Sequence, residues 1–262
     1  MNTGPIGVFD SGVGGTSIWK EIKKLLPNEN TVYLADSKNA PYGQKPQNEI
    51  LQLSIKNTDL LLEKGCKLIV VACNTATTNA IDFLRKNYQV PFIGIEPAIK
   101  PAALKSNSKT IGVLATKGTL ASSLFHSTSE IHANAIKIVE QEGIGLVPLI
   151  EQGKVHAAET RDLLEKFINP MLEEGIDYLV LGCTHYPYLI PVLQELLPEH
   201  VKIIDSGEAV ARRTKAVLEK YDLNNLSDIR AKDQFYTNAD TSILAYFLKD
   251  MRRAAELNYL DF

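Results

Sequence analysis

An internal repeat is the feature that most restricts how this chain can fold. The segment IGVFDSGVGGTS at residues 6–17 resembles IGVLATKGTLAS at residues 111–122, at an offset of 105. Two further matches lie near an offset of 110: VVACNT (70–75) with VLGCTH (180–185), and, more weakly, IGIEPA (93–98) with IIDSGEA (203–209). Three matches in the same order at nearly one offset predict two structurally similar halves.

Short apolar runs alternate with amphipathic stretches along the chain. The predicted strands cover residues 6–9, 31–35, 68–72, 91–95, 110–115, 135–139, 178–182 and 201–204. The predicted helices cover residues 17–26, 47–64, 75–87, 120–126, 157–174 and 189–197. Strands that alternate with helices indicate βαβ units and mainly parallel sheets.

We therefore predict an α/β fold with two pseudo-symmetric domains, each a mainly parallel sheet flanked by helices, and an active site in the cleft between them. The first domain takes residues 1–97 plus 207–262, and the second takes residues 98–206. The tail from residue 207 is expected to be helical and to pack back on the first half. No Pro/Gly/Ser-rich linker separates the halves, which predicts that they pack closely.

The composition excludes several classes of partner. The chain has 262 residues and a net charge of −3 with no basic run, so neither nucleic acid nor an anionic membrane is expected to bind. The N-terminal sequence MNTGPIGVFD lacks the pattern of a secretory signal, and no apolar run is long enough to span a bilayer. These features predict a cytoplasmic enzyme, for which a homodimer is left open.

The cysteines and histidines do not have the spacing of a metal site. Cys66, Cys73 and Cys183 form no CxxC pair, and the five histidines are scattered along the chain. We therefore predict no metal and no disulfide, with free thiols in a reducing compartment. Cys66 lies in EKGCKL and is interpreted as a small buried hydrophobic residue.

Cys73 and Cys183 stand at equivalent points of the repeat, where a predicted strand ends and a helix begins. Free N–H groups at a helix start are expected to lower a thiol pKa and, with Asn74, Thr75 and Thr184, to bind a carboxylate. A lone cysteine in this setting is more often a buried hydrophobic residue. Two at matching positions predict instead a pair of thiols that face each other across one cleft.

Two opposed thiols suit the inversion of a stereocentre. That reaction needs a base on one face of the carbon and an acid on the other, and a thiolate with a thiol provides both. The usual alternative for amino acids is a pyridoxal Schiff base, which requires a lysine and a phosphate site. The sequence shows no strong sign of either, so no cofactor is predicted.

The loop DSGVGGTS, residues 10–17, follows the first predicted strand. It is neither a P-loop, since it has no lysine, nor a complete dinucleotide fingerprint, since Ser17 takes the third glycine position. We expect its backbone N–H groups and carboxylate to face a small ligand near a helix start. The alternative is a tight turn capped by Asp10 or Ser11.

The motifs DSGVGG, DSKNAPYG, ACNTAT and LGCTHYP together resemble the cofactor-independent aspartate/glutamate racemase superfamily. The likeness extends from about residue 6 to residue 209, and ACNTATT with LGCTHYP is more similar to the glutamate racemases than to the aspartate branch. The resemblance implies two pseudo-symmetric α/β domains and racemisation of L- and D-glutamate between them. It also implies a role in supplying D-glutamate for peptidoglycan.

The resemblance further implies roles for particular residues. Cys73 and Cys183 would be the catalytic acid/base pair, with Asp10 assisting Cys73, and His185 with Glu151 assisting Cys183. The implied substrate contacts are Asp10, Ser11, Tyr42, Gly43, Asn74, Thr75, Thr116, Thr184 and His185. Tyr42 lies in a loop rich in turn-forming residues, where a hydroxyl can close a polar pocket.

Other functions compete with this interpretation. Two α/β lobes around a cleft also describe periplasmic small-molecule binders, which need a signal sequence and no paired thiols. A racemase for aspartate or another amino acid, or a related thiol decarboxylase, is the second alternative. The decarboxylases need one cysteine, whereas this chain has both.

Overall fold

The computed structural model describes residues 4–132, 136–226, 231–249 and 256–262 and contains two parallel sheets. The first has the order β10 (Glu256–Tyr259), β9 (Asp233–Thr237), β2 (Thr31–Ala35), β1 (Ile6–Asp10), β3 (Leu68–Val71) and β4 (Phe92–Gly94). The second has the order β6 (Lys137–Glu142), β5 (Thr110–Ala115), β7 (Tyr178–Gly182) and β8 (Lys202–Ile204). We call these sheets, with the helices packed on them, the first and second lobes.

The strand order bears out the internal repeat. In each half, the first strand lies between the half's second and third strands, and the fourth strand forms an edge of the sheet. This gives β2-β1-β3-β4 in the first sheet and β6-β5-β7-β8 in the second, with every pairing parallel. The predicted fold class is therefore confirmed, while the domain limits at residues 97/98 and 206/207 stay predictions.

Helices cover both sheets. In the described residues they are α1 (Thr16–Leu25), α2 (Gln47–Glu63), α3 (Asn74–Asn87), α4 (Ile99–Lys105), α5 (Lys117–Leu120), α6 (Ser123–His132), α7 (Leu146–Glu151), α8 (Ala158–Glu173), α9 (Ile190–Leu196), α10 (Gly207–Lys220) and α11 (Thr241–Leu248). Every residue of β1 and β3 is buried, which explains why LIVV reads as a continuous apolar run rather than an alternating one. In α1 the apolar residues Ile18, Trp19 and Ile22 are buried on one face, and α1 packs against α10.

The tail corrects one prediction. Residues 207–262 are not only helical, because β9 and β10 extend the first sheet beyond β2. The β9 sequence DQFYT alternates buried and half-buried positions, and its polar residues conceal the strand pattern. The tail therefore belongs to the first sheet through backbone pairing as well as through helix packing.

Two element boundaries also differ from prediction. The helix expected at 120–126 is divided, because α5 ends at Leu120 and α6 begins at Ser123. The Ser122 hydroxyl accepts a hydrogen bond from Phe125 N–H at 3.2 Å, a contact typical of a new helix start. The strand expected at 135–139 is β6, which runs from Lys137 to Glu142, while residue 135 lies outside the described residues.

Candidate active site

The carboxyl ends of the central strands of both sheets meet at one small enclosed cavity. Its walls include Cys73, which follows β3, and Cys183, which follows β7 directly. The other lining residues are Ser11, Pro41, Tyr42, Gly43, Asn74, Thr75, Thr116, Val147, Thr184 and His185. Ten of the residues predicted from the sequence thus share one cavity, whereas Asp10 and Glu151 lie outside its lining.

The cavity is closed. The space open to water-sized molecules is about 10 Å³, room for roughly one water molecule. Both cysteines are free and buried, with Cys73 5% and Cys183 7% exposed. An amino acid therefore requires the lobes or the loops at the cavity mouth to move apart before it can enter.

Cys73 occupies the position before α3. Its sulfur accepts a hydrogen bond from Ala76 N–H at 3.4 Å and lies 3.7 Å from the Ser11 hydroxyl. The sequence predicted a lowered pKa for this thiol, and that prediction is wrong for Cys73. Burial, followed by the negative charge of Asp10, raises its pKa, and the Ala76 N–H offsets only part of that effect.

Asp10 organises the glycine loop that follows β1. Its Oδ2 accepts hydrogen bonds from Gly12 N–H at 3.1 Å and Gly15 N–H at 3.0 Å, and its Oδ1 accepts one from Thr184 at 3.1 Å. Burial raises the pKa of Asp10 to about 6, despite the opposing charge of His185 and both N–H donors. The carboxylate thus caps a tight turn and links the two lobes.

Three N–H groups of this loop, those of Gly12, Val13 and Gly15, do not face the cavity as expected. Gly12 and Gly15 donate to Asp10, and Val13 N–H donates to Glu151 Oε1 at 2.6 Å. The tight-turn alternative is therefore the correct one for these N–H groups.

His185 connects Cys183 to Glu151. Its Nδ1 lies 3.7 Å from Cys183 Sγ, and its Nε2 lies 2.5 Å from Glu151 Oε1. Burial alone lowers the pKa of His185, but hydrogen bonds to Cys183 and Glu151 and the charge of Asp10 together raise it well above its ordinary value. A protonated imidazole in this position can donate a proton from Nδ1 to Cys183 Sγ.

Glu151 lies at the end of α7 in the second lobe and contacts the first lobe. Besides Val13 N–H, it accepts a hydrogen bond from the Ser37 hydroxyl at 2.9 Å through Oε2. Sequence reasoning missed Ser37, because one serine in a loop rich in turn formers carries no signal of a partner 114 positions away. Through Glu151, these contacts connect His185 to residues of the first lobe.

Polar side chains line the rest of the cavity. Thr75 Oγ1 lies 2.9 Å from Thr116 Oγ1, which in turn lies 3.1 Å from the buried Thr119 Oγ1. Among the described residues, Asn74 Nδ2 has no hydrogen-bond partner although it is buried. An unpaired buried donor is costly, so Asn74 is suited to meet an acceptor such as a carboxylate.

The described residues provide no group of three or more His, Cys, Asp or Glu side chains arranged to hold a metal ion. Within the same residues, no helix has both the length and the apolar character of a membrane span.

The family is shown by comparison with known proteins. The profile of the family described as Asp/Glu/Hydantoin racemase matches residues 6–214. The chain belongs to this family of amino-acid racemases, which are isomerases.

The relatives within that family are glutamate racemases. The glutamate racemase of Cupriavidus pinatubonensis is 44% identical over 93% of this chain and 90% of its own length. The crystal structure of glutamate racemase RacE1 from Bacillus anthracis superposes with a TM-score of 0.89 at 28% identity, covering 100% of this chain and 99% of that one. Escherichia coli glutamate racemase, in complex with L-glutamate and the activator UDP-MurNAc-Ala, gives a TM-score of 0.85 at 34% identity, with 98% and 97% covered.

Proposed function

We propose that this chain interconverts L- and D-glutamate without a cofactor, using Cys73 and Cys183 as the two acid/base groups. The observation that carries the proposal is the pair of free cysteines, one from each lobe, on the wall of one closed cavity. Glutamate is the substrate we propose because the relatives matched over most of the chain are glutamate racemases, one of them solved with L-glutamate.

The proposed reaction moves one proton off the α-carbon and another onto its opposite face. The thiolate of one cysteine removes the α-proton and becomes a thiol, and the C–H electron pair stays on carbon. The thiol of the other cysteine then gives its proton to the opposite face and becomes a thiolate. The two cysteines thus exchange protonation states in each turnover, and the reverse reaction uses them in the opposite order.

Asp10 and His185 are proposed to adjust these proton transfers. Because burial disfavours the thiolate of Cys73, its proton affinity is high, which suits removal of a weakly acidic α-proton once the thiolate forms. His185, held by Glu151, is placed to exchange a proton with Cys183. Asp10 influences Cys73 through its charge and is fixed by three hydrogen bonds.

The closed cavity supports the same chemistry. A carbanion next to a carboxylate needs stabilisation by fixed dipoles in a site from which water is excluded. Asn74 and the hydroxyls of Thr75, Thr116 and Thr184 are the groups proposed to hold the carboxylates of the substrate. Ser11, Tyr42 and Gly43 complete the proposed contacts.

The biological setting follows from the proposed reaction. We propose that the protein supplies D-glutamate for peptidoglycan and that it does so in the cytoplasm. The proposed compartment is a reducing one, in which the thiols of Cys66, Cys73 and Cys183 stay free.

The proposal is tested by incubating the purified protein, without added cofactor, with L-glutamate, D-glutamate and L-aspartate in turn. Chiral chromatography then follows the enantiomers. We expect each glutamate enantiomer to give the other and aspartate to remain unchanged. Conversion of aspartate alone would retain the chemistry but refute the substrate, and no conversion of any of them would refute the function.

The pKa of Asp10 predicts an acidic limb in the pH profile. Because this carboxyl group has a pKa of about 6, it gains a proton as the pH falls through that value, and kcat/KM for glutamate is expected to fall with it. Asp10→Asn should remove the limb and lower kcat/KM about tenfold at pH 8. An unchanged limb in the variant would show that another group produces it.

Asp10 also predicts an opposite effect on stability. A carboxyl group whose folded-state pKa is raised stabilises the fold below its unfolded-state value, and that contribution is lost as pH rises through about 6. Asp10→Asn, which is neutral, is therefore expected to unfold at a higher temperature than the wild type at pH 8. Calorimetry at that pH measures this, and a lower Tm for the variant would contradict the account of the buried charge.

A further inference from the structure

A buried carboxylate, Asp36, organises the loop that carries Tyr42 into the cavity. Asp36 follows β2, is 0% exposed, and donates its own N–H to the carbonyl of Asp10 at 3.1 Å. The groups that contact its carboxylate are the Tyr42 hydroxyl, Asn39 Nδ2 at 2.7 Å, Asn57 Nδ2 at 3.5 Å, Asn238 Nδ2 at 2.5 Å and Lys56 Nζ at 3.5 Å. A buried charge with this many donors fixes the position of each of them.

Tyr42 depends directly on Asp36. Its hydroxyl donates to Asp36 and accepts a hydrogen bond from Asn57 Nδ2 at 3.0 Å, while the residue itself lines the cavity beside Gly43. Burial and the charge of Asp36 raise the pKa of Tyr42 well above its ordinary value, so the phenol stays protonated as a donor. The position of Asp36 therefore determines how Tyr42 is presented to the cavity.

Asn238 ties this loop to the tail. It lies just after β9, is 3% exposed, and accepts a hydrogen bond from Lys38 N–H at 2.9 Å through Oδ1. Its Nδ2 donates to Asp36 at 2.5 Å and to the main-chain oxygen of Phe262 at 3.1 Å. A side-chain amide has one acceptor and two donor hydrogens, and all three are used here.

We propose that Asn238 is a positioning residue for the reaction, which it influences through Asp36 and Tyr42 without lining the cavity. The tail, to which neither the repeat nor the motifs assign a function, thereby supports the substrate site from outside the cavity. Neither Ala, Leu nor Asp at position 238 can make the same three hydrogen bonds, since only a side-chain amide accepts one and donates two. The kinetic part of this inference rests on the proposed glutamate racemase function, whereas the loop contacts do not.

The kinetic test compares Asn238→Ala with a matched change in the same strand region. We expect kcat/KM for L-glutamate to fall about tenfold in N238A, mostly through KM, because a buried charged network loses one donor. Gln234→Ala is the control, since Gln234 in β9 contacts Glu256 at 3.1 Å and nothing in the loop. It should retain the wild-type constants.

A double-mutant cycle distinguishes positioning from general destabilisation. If Asn238 acts through Tyr42, the effect of N238A should largely disappear when it is combined with Tyr42→Phe. Effects that multiply fully in the double variant would overturn the proposal, as would unchanged constants in folded N238A. If N238A does not fold, Asn238→Ser, which retains one hydrogen-bonding group, takes its place in the cycle.

Hydrogen exchange tests the contact without substrate. Backbone amides of residues 36–45 are expected to exchange at least about tenfold faster in N238A than in the wild type. In Gln234→Ala their exchange rates should equal those of the wild type. Unchanged exchange in N238A would overturn the positioning role whatever the wild type catalyses. If the wild type did not act on glutamate but this loop still exchanged faster, the proposed function would fail while the positioning role stood.

Discussion

Cys73→Ala and Cys183→Ala are each expected to lower the interconversion of the glutamate enantiomers about 1000-fold, in both directions. In the proposed mechanism each variant would lack the acid or base on one face of the α-carbon, and His185, which lies beside Cys183, is held by Glu151 instead of taking the place of either sulfur. Initial rates from L- and from D-glutamate, measured separately, give the result.

Cys66→Ala is the matched control for both variants. Cys66 is also buried, at 4% exposed, but lies in the core against Gly7 and away from the cavity. It should lose stability by about 1 kcal/mol and keep its kcat and KM. Full activity in either cavity variant would contradict the two-thiol scheme.

Gly14→Ala is expected to lower kcat/KM about 100-fold, because a Cβ at this position would overlap the His185 imidazole. The overlap would push His185 away from Cys183 or keep the lobes from closing. Gly14 lies in the first lobe and His185 in the second, so the folding of each sheet should be little affected. Steady-state kinetics together with a thermal unfolding curve separates activity from stability.

Gly175→Ala is the comparison variant, which is expected to lose stability but not activity. Gly175 has a φ of +76° with open space around it, so alanine there strains the backbone by about 1–2 kcal/mol without touching the cavity. This variant should unfold at a lower temperature and keep its kinetic constants. If Gly14→Ala instead had wild-type kinetics, the contact between Gly14 and His185 would not matter to the reaction.

Much of the fold could be predicted because the repeat and the buried strands are strong local signals. Runs such as LIVV are buried on both faces of a parallel sheet, so they are apolar throughout. The strands β9 and β10 were missed because DQFYT and ELNY are rich in polar residues, even at the buried positions Asp233 and Thr237 of β9. The place of β9 depends on long-range pairing with β2, and β10 in turn pairs with β9, which no local pattern records.

The site shows the same division between local and long-range information. Cys73, Asn74, Cys183 and Thr184 were predictable because strand ends of a repeated α/β unit bring such residues to one edge. The raised pKa of Cys73 was not, because it depends on burial and on Asp10 from another strand.

The residues that hold the site together were also beyond local patterns. Ser37, Thr119 and Asn238 act through contacts across the cleft or between loop and tail. Their side chains are common polar types, and only the folded chain shows which partner each one has.

The proposed two-base reaction at Cys73 and Cys183 is tested most directly by proton NMR of glutamate in D2O with the wild-type protein. At low conversion, starting from either enantiomer, we expect the product to carry deuterium at Cα while the remaining substrate keeps its proton. Each face then has its own acid/base group, and the delivering thiol carries a solvent-derived deuteron. Product that retains the substrate's proton, or substrate that gains deuterium as fast as product forms, would indicate a single base and contradict the account.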